Sequence, residues 1–186
     1  MIKRNMYAIS AFTMLFLLAS VAVSDEYAWD QTNDSLPPGA GYGILSASPI
    51  GQEFLPDSNS LERVQLQICN PTGSAELSVS IYSDSITGTM VASSDTTQVS
   101  EGYDDIVTFV FDPVALVPST RYVMVVVQVT GDSYVRCADS SASSYPQGRL
   151  ILGGTPEENE DLWFREGILD AAALENTTWG SIKYLP

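Results

Sequence analysis

Aromatic and charged side chains cluster in one turn-rich stretch of the sequence. Tyr134, Arg136 and Tyr145 lie close together in the chain, among Ser, Asp and Gly residues. Flat aromatic rings stack on the faces of sugars, and the phenol of a tyrosine adds a hydrogen bond. We therefore expect these three residues to form a binding site for a neutral sugar. The alternative is that the rings cap the ends of a hydrophobic core.

Trp163 lies between Asp161 and Arg165 in a second candidate site. On an extended strand these alternate residues share one face. A ring flanked by an acid and a guanidinium serves either as a ligand platform or as a cover for the sheet face. Trp163 therefore joins the predicted ligand-binding residues.

Catalytic chemistry is poorly represented in the sequence. The chain has no histidine, which excludes Ser-His-Asp and Cys-His arrangements and the usual general base at neutral pH. The acidic pairs Asp104/Asp105 and Glu160/Asp161 are sequence neighbours, so on a strand they point to opposite faces and not across a substrate. We predict no catalytic residues and keep a polysaccharide-acting hydrolase as the enzymatic alternative.

Calcium is the one cofactor that the residue types favour. Carboxylate oxygens are abundant, and they are the ligands that calcium prefers. In a jelly roll, which is one of the folds that the strand pattern of this chain predicts, the first and last strands are often neighbours. We therefore expect Asp30 and Asp161 to meet at one ion. The alternative is that the acids only make the surface soluble.

The two cysteines, Cys69 and Cys137, predict a disulfide. An even number of cysteines in an exported chain favours a bridge. The alternative is two separate buried thiols. Zinc is disfavoured, because it takes three or four nitrogen or sulfur ligands.

The elements that position these residues are strands. Apolar and polar residues alternate over residues 64–68, 77–81 and 107–111, which indicates half-buried strands. Residues 121–129 are almost continuously apolar and predict a central strand. Shorter strands are expected at residues 51–55, 90–94, 134–138, 150–152 and 161–166, and residues 25–49 are expected to lie extended along a sheet edge. The predicted fold is all-β, an antiparallel β-sandwich or jelly roll of about eight or nine strands. Its predicted core residues are Val64, Leu66, Ile68, Leu77, Val79, Ile81, Val107, Phe109, Phe111, Val123, Val125 and Val127.

The N-terminus has the pattern of an export signal. Lys3 and Arg4 precede an apolar stretch, and small residues lie at Ala22 and Ser24. We expect a cleaved signal peptide over residues 1–24, a β-sandwich domain over 25–169 and a short tail over 170–186, in which Trp179, Ile182 and Leu185 could line one side of a helical turn. An uncleaved anchor is the alternative. The expected location is extracellular or at the cell surface, or the periplasm, with no transmembrane segment after cleavage.

The net charge of the 186-residue chain is −15. A surface this acidic repels nucleic acid and anionic lipid. Both classes of partner are therefore excluded.

The order of the segments resembles a family of bacterial secreted β-sandwich domains. The resemblance is carried by residues 29–33 (WDQTN), 50–54 (IGQEF), 61–66 (LERVQL), 81–88, 109–114 (FVFDPV), 116–122, 145–154 and 161–165 (DLWFR). It covers about residues 29–166 and implies a jelly roll similar to galactose- and carbohydrate-binding domains of extracellular and surface-anchored proteins.

Three functions are therefore in view. The first is a secreted, non-catalytic module that binds carbohydrate or acts as an adhesin, with a glycan or a cell-surface component as its partner. The second is a structural subunit of the cell surface or matrix without a small ligand. The third is the hydrolase.

Overall fold

The computed structural model describes residues 27–140 and 142–169, and this part of the chain contains strands and no helix. The predicted signal peptide and the predicted tail with its helical turn lie outside the described residues. The strands are β1 (Tyr27–Asn33), β2 (Pro38–Gly43), β3 (Ile50–Phe54), β4 (Ser60–Asn70), β5 (Ala75–Ser83), β6 (Met90–Ser93), β7 (Thr97–Val99), β8 (Tyr103–Ala115), β9 (Tyr122–Thr130), β10 (Tyr134–Ala138), β11 (Leu150–Leu152), β12 (Thr155–Pro156) and β13 (Phe164–Leu169).

The strands form two antiparallel sheets that pack as a β-sandwich. In the first, sheet A, β4 pairs with β8 along one side and with β13 and then β10 along the other, while β1 and β2 pair with β13 and β10. Sheet B has the order β12-β11-β3-β9-β5, with β6 and β7 both paired to β5. The all-β sandwich predicted from the sequence is confirmed.

The core between the sheets is formed by the alternating residues of the long strands. Val64 and Phe109 are opposite each other on β4 and β8, and both are fully buried. Every predicted core residue on β4, β5 and β8 is buried. The largest fully buried side chains are those of Phe54, Phe109 and Phe164.

The core-facing side of β9 was predicted wrongly. Its residues facing the main core are Tyr122, Met124 and Val126, whereas Val127 is 36% exposed. Val123 and Val125 are buried, but on the outer side of sheet B, in a small cluster with Ile151. Residues 122–127 of β9 are all apolar and show no alternation. The side of the sheet that each residue faces is therefore set by pairing with β5 and not by the sequence of β9.

The structure has more strands than the predicted eight or nine. The additional strands include β1 and β2 from the stretch that was expected to lie along a sheet edge, and the short β7 and β12. Short strands carry too few residues to show a period. Across the described residues, no helix of a length and hydropathy suited to crossing a membrane is found.

Candidate functional site

Tyr134 and Arg136 point outward from β10, on the face of sheet A turned away from the core. The intervening Val135 and the following Cys137 point inward and are buried, as alternation along a strand requires. Tyr134 is 40% exposed and Arg136 is half-buried. The structure thus places these two predicted ligand-binding residues on one accessible surface.

Arg136 is held by Asp104, which lies on β8 at the far side of β4. The pair is bidentate, with Nε–Oδ1 and Nη2–Oδ2 distances of 2.9 and 2.6 Å. Nη1 of Arg136 also donates to the Gly39 carbonyl at 3.1 Å, and Gln67 Nε2 donates to Asp104 Oδ1 at 3.5 Å. The hydrogen bond from Arg136 lowers the pKa of the Asp104 carboxyl group. The surface therefore carries a pre-formed donor and acceptor pair without net charge.

Glycines on β2 border this pair. A Cβ at Gly41 would lie 3.4 Å from Cγ of Arg136, and a Cβ at Gly43 would lie 3.7 Å from Cε1 of Tyr134. Because glycine has no side chain, the backbone of β2 can lie close to β10 at Gly41, and Ser46 Oγ takes the position that a side chain at Gly43 would fill. We call the surface formed by Tyr134, Arg136 and Asp104, with the buried Gln67 that contacts Asp104 and the glycine border, the Tyr134 patch.

A second aromatic group lies farther along the same outer face. The Arg165 guanidinium lies over two indole rings, 5.8 Å from the centroid of Trp29 and 5.1 Å from that of Trp163. Its Nε donates to Asp34 Oδ2 at 2.6 Å, and its Nη1 donates to Gln65 Oε1 at 3.3 Å. We call Trp29, Arg165, Asp34 and Trp163 the Trp29 stack. Like the Tyr134 patch, it holds an arginine that is neutralised by an aspartate.

Trp163 is only 5% exposed, so it covers the sheet face and does not present its ring to a ligand. Tyr145 is also 5% exposed. Its ring packs edge-on against Phe164 with 5.1 Å between centroids, and its hydroxyl donates to Gln31 Oε1 at 3.0 Å. Of the four predicted ligand-binding side chains, Tyr134 and Arg136 are therefore accessible, whereas Trp163 is covered on the outer face and Tyr145 is buried in the core.

Asp161 lies between the sheets and organises a loop. Its Oδ1 accepts from Gln52 Nε2 at 2.9 Å, and its Oδ2 accepts from Ser143 Oγ and from the Ser144 and Tyr145 backbone N–H groups at 2.8–2.9 Å. Asp161 is 1% exposed. It does not share the face of Trp163 and Arg165 as its spacing predicted, because the chain becomes a regular strand only at Phe164.

Asp30 belongs to a different polar cluster. Its Oδ2 accepts from the backbone N–H groups of Asp57 and Ser58, both at 2.9 Å. Its other neighbour is Glu166, whose side chain is fully buried and whose carboxyl group lies against the carboxyl group of Asp30. Two carboxyl groups can hydrogen-bond only when one of them carries a proton. Burial, followed by the charge of Asp30, raises the pKa of Glu166 to about 9, so Glu166 holds that proton.

The two predicted calcium ligands therefore have separate environments. Asp30 and Asp161 share no hydrogen-bond partner within the described ranges. Nor do the described residues contain a group of three or more acidic or cysteine side chains placed to hold a metal ion. Calcium binding itself stays a prediction.

The predicted Cys69–Cys137 disulfide is wrong, since both cysteines are free thiols. Cys137 points into the core, where burial raises the pKa of its thiol to about 12. Cys69 lies opposite Tyr134 on the outer face of sheet A. A bridge needs Cβ atoms that face each other at about 4 Å, which opposite faces of one sheet cannot provide.

Several residues of this face were not found from the sequence. Asp104 was assessed only as a partner of Asp105, and Trp29 only as part of a segment that carries the resemblance. The glycines at every second position of β2 were a usable signal, because that spacing clears one face of a strand. The contact between Asp104 and Arg136 depends on register across three strands, which the sequence does not state.

Neither the comparison with protein-family models nor the comparison with curated proteins finds a match for this chain. Among solved structures, the chain is similar to one described as "Structure of infectious bursal disease virus Gx strain", with 14% sequence identity and a TM-score of 0.25. The match covers 92% of this chain and 48% of the viral chain, so this chain spans about half the length of its neighbour. A similarity this distant carries no argument about function.

Proposed function

We propose that this chain is an exported, non-catalytic module that binds a neutral carbohydrate at the Tyr134 patch. The observation that carries the proposal is the exposed Tyr134 ring on a sheet face, beside the bidentate pair of Arg136 and Asp104. A ring of this kind stacks on the apolar face of a sugar. The adjacent guanidinium donates to sugar hydroxyls, and the carboxylate accepts from them.

The charge of the patch favours an uncharged ligand. Arg136 is neutralised by Asp104, and the whole chain carries a net charge of −15. An acidic polysaccharide would meet a repulsive field with no unpaired cation at the patch to offset it. Neutral sugars carry no such cost.

The carboxylate of the patch supports binding and not hydrolysis. A general acid needs a pKa near the working pH, whereas Arg136 lowers the pKa of Asp104. Glycoside hydrolysis also needs a second carboxyl group across the scissile bond. The patch as described offers Asp104 alone.

Binding of fluorescently labelled, purified protein to a panel of neutral and acidic glycans tests this proposal. We expect retention on neutral glycans, and we expect Tyr134→Ala to weaken it by about fivefold, because a stacking contact is worth about 1 kcal/mol. Val129→Ala, which truncates a side chain that is 52% exposed on β9 of the other sheet, is the matched control and should bind normally.

Two results would contradict the proposal. One is binding that Tyr134→Ala leaves unchanged. The other is the absence of binding to every glycan by a protein that self-assembles or stays on the cell surface, which would select the structural alternative.

A further inference from the structure

The Tyr134 patch and the Trp29 stack lie on one continuous face and are connected by β4. Outward-facing residues of β4 are Cys69, Gln67, Gln65 and Arg63 in order along the strand. Cys69 is opposite Tyr134, and Arg63 is opposite Gly167, whose other neighbour is Trp29. Six residues of antiparallel strand separate the two ends, a length of about 20 Å.

The surface between the two ends is polar, and two of its arginines are paired with aspartates. Arg136 is bound by Asp104, and Arg165 is bound by Asp34. Between them Gln65 Nε2 donates to Thr108 Oγ1 at 3.0 Å on the neighbouring strand. The two partly exposed arginine–aspartate pairs offer donors and acceptors at both ends of this surface.

The same groups thus occur at both ends of this surface, in mirrored order along β4. Each end has an aromatic ring next to an arginine–aspartate pair, and a glycine lies opposite each aromatic residue on the neighbouring strand. Gly43 borders Tyr134. At the other end a Cβ on Gly167 would lie 2.9 Å from Cα of Trp29, so only glycine permits this approach.

We propose that this face binds an extended, neutral polysaccharide chain of several sugar units, with Tyr134 and Trp29 as platforms at its two ends. The inference rests on the proposed function and extends it. About 20 Å exceeds the length of a disaccharide, so a short ligand reaches one platform and a longer chain reaches both. Two linked contacts bind more tightly than either does separately.

Calorimetric titration of the full chain with β-1,4-linked gluco-, manno- and xylo-oligosaccharides of two and of six units tests the inference. For the series that binds, we expect the hexasaccharide to bind at least about tenfold more tightly than the disaccharide. Trp29→Ala should remove most of this difference, and Trp29→Phe, which keeps a ring, should retain part of it. Val129→Ala should behave as the native chain does.

Equal affinity for the two lengths in the native chain would overturn the inference while leaving the proposed function intact. A length advantage that survives Trp29→Ala would do the same. Failure of every probe to bind, or binding that is insensitive to Tyr134→Ala, would instead remove the proposed function and the inference together. The native length comparison decides the matter even when Trp29→Ala lowers stability by removing the contact with Arg165.

Discussion

Glu166 occupies a position that its residue type disfavours. It is fully buried on the inner side of β13, opposite Gln31 on β1 and Val64 on β4. The groups that face it are the carboxyl groups of Asp30 and Asp57 and the phenol of Tyr145. A charged carboxylate here would be buried next to other acids, and none of the described groups that act on it is a cation, so the protonated form is the stable one in the folded chain.

The pH dependence of stability should reveal this proton. The folded pKa of about 9 lies above the ordinary value of 4.5, so the contribution of Glu166 is complete below pH 4.5 and is lost as the pH rises toward 9. We expect Glu166→Gln, which stays neutral and still donates to Asp30, to raise the free energy of unfolding at about pH 8 by roughly 1–3 kcal/mol. Urea unfolding of both proteins between about pH 5 and pH 9 measures the effect.

Glu101→Gln is the matched control, because Glu101 is exposed and the substitution makes the same change of charge. It should leave the slope of stability against pH as it is in the native chain. Parallel curves for the native chain and Glu166→Gln would show that Glu166 is ionised in the folded state.

At the level of single residues, the sequence grouped four side chains as ligand-binding residues, but only Tyr134 and Arg136 lie at the surface. Tyr134 and Arg136 were predicted together because they lie close in a turn-rich stretch of the sequence, and the structure places them two residues apart on one strand, where they share a face. Tyr145 and Trp163 have the same chemical character, yet the structure buries both. The difference depends on which side chains cover them, and that follows from the packing of distant segments.

At the level of elements, the edge strand β8 shows how an exposed strand is blocked. The Ile106 N–H donates to Asp105 Oδ1, and its carbonyl accepts from the Tyr103 hydroxyl. Farther along, the Val110 carbonyl accepts from the Asp95 N–H. These contacts occupy backbone groups that would otherwise pair with a strand from another molecule.

The alternation of β8 also gives a direct test of its predicted orientation. Phe109 is fully buried, whereas Val110 is 37% exposed. We expect Phe109→Ala to lower the free energy of unfolding by about 3–5 kcal/mol, because it leaves a cavity in the core. Val110→Ala should cost less than about 1 kcal/mol. Chemical denaturation of both variants measures the difference, and comparable losses would contradict the orientation.

Strand orientation could be predicted where apolar and polar residues alternate, as on β4, β5 and β8. It could not be predicted for β9, where apolar residues fill both faces. The contact between Arg136 and Asp104 could not be predicted either, because it depends on how β4 pairs with β10 on one side and with β8 on the other.

At the level of the whole molecule, the two outer faces differ in character. Sheet A presents aromatic rings, paired arginines and amides, whereas sheet B presents Val127 and Val129 beside a buried cluster of Val123, Val125 and Ile151. The sandwich architecture followed from the number and pattern of strands. Which outer face carries the candidate site depends on the three-dimensional pairing.

Binding of a neutral carbohydrate at the Tyr134 patch is tested most directly by NMR. A neutral oligosaccharide that binds the protein is added to isotopically labelled protein, and the changes in amide chemical shift are mapped onto the structure. The largest changes should occur at Tyr134, Arg136, Gln67 and Asp104 on sheet A, and Val123, Val125 and Val127 on sheet B should show none. Changes confined to sheet B, or to loops away from the Tyr134 patch, would contradict this prediction.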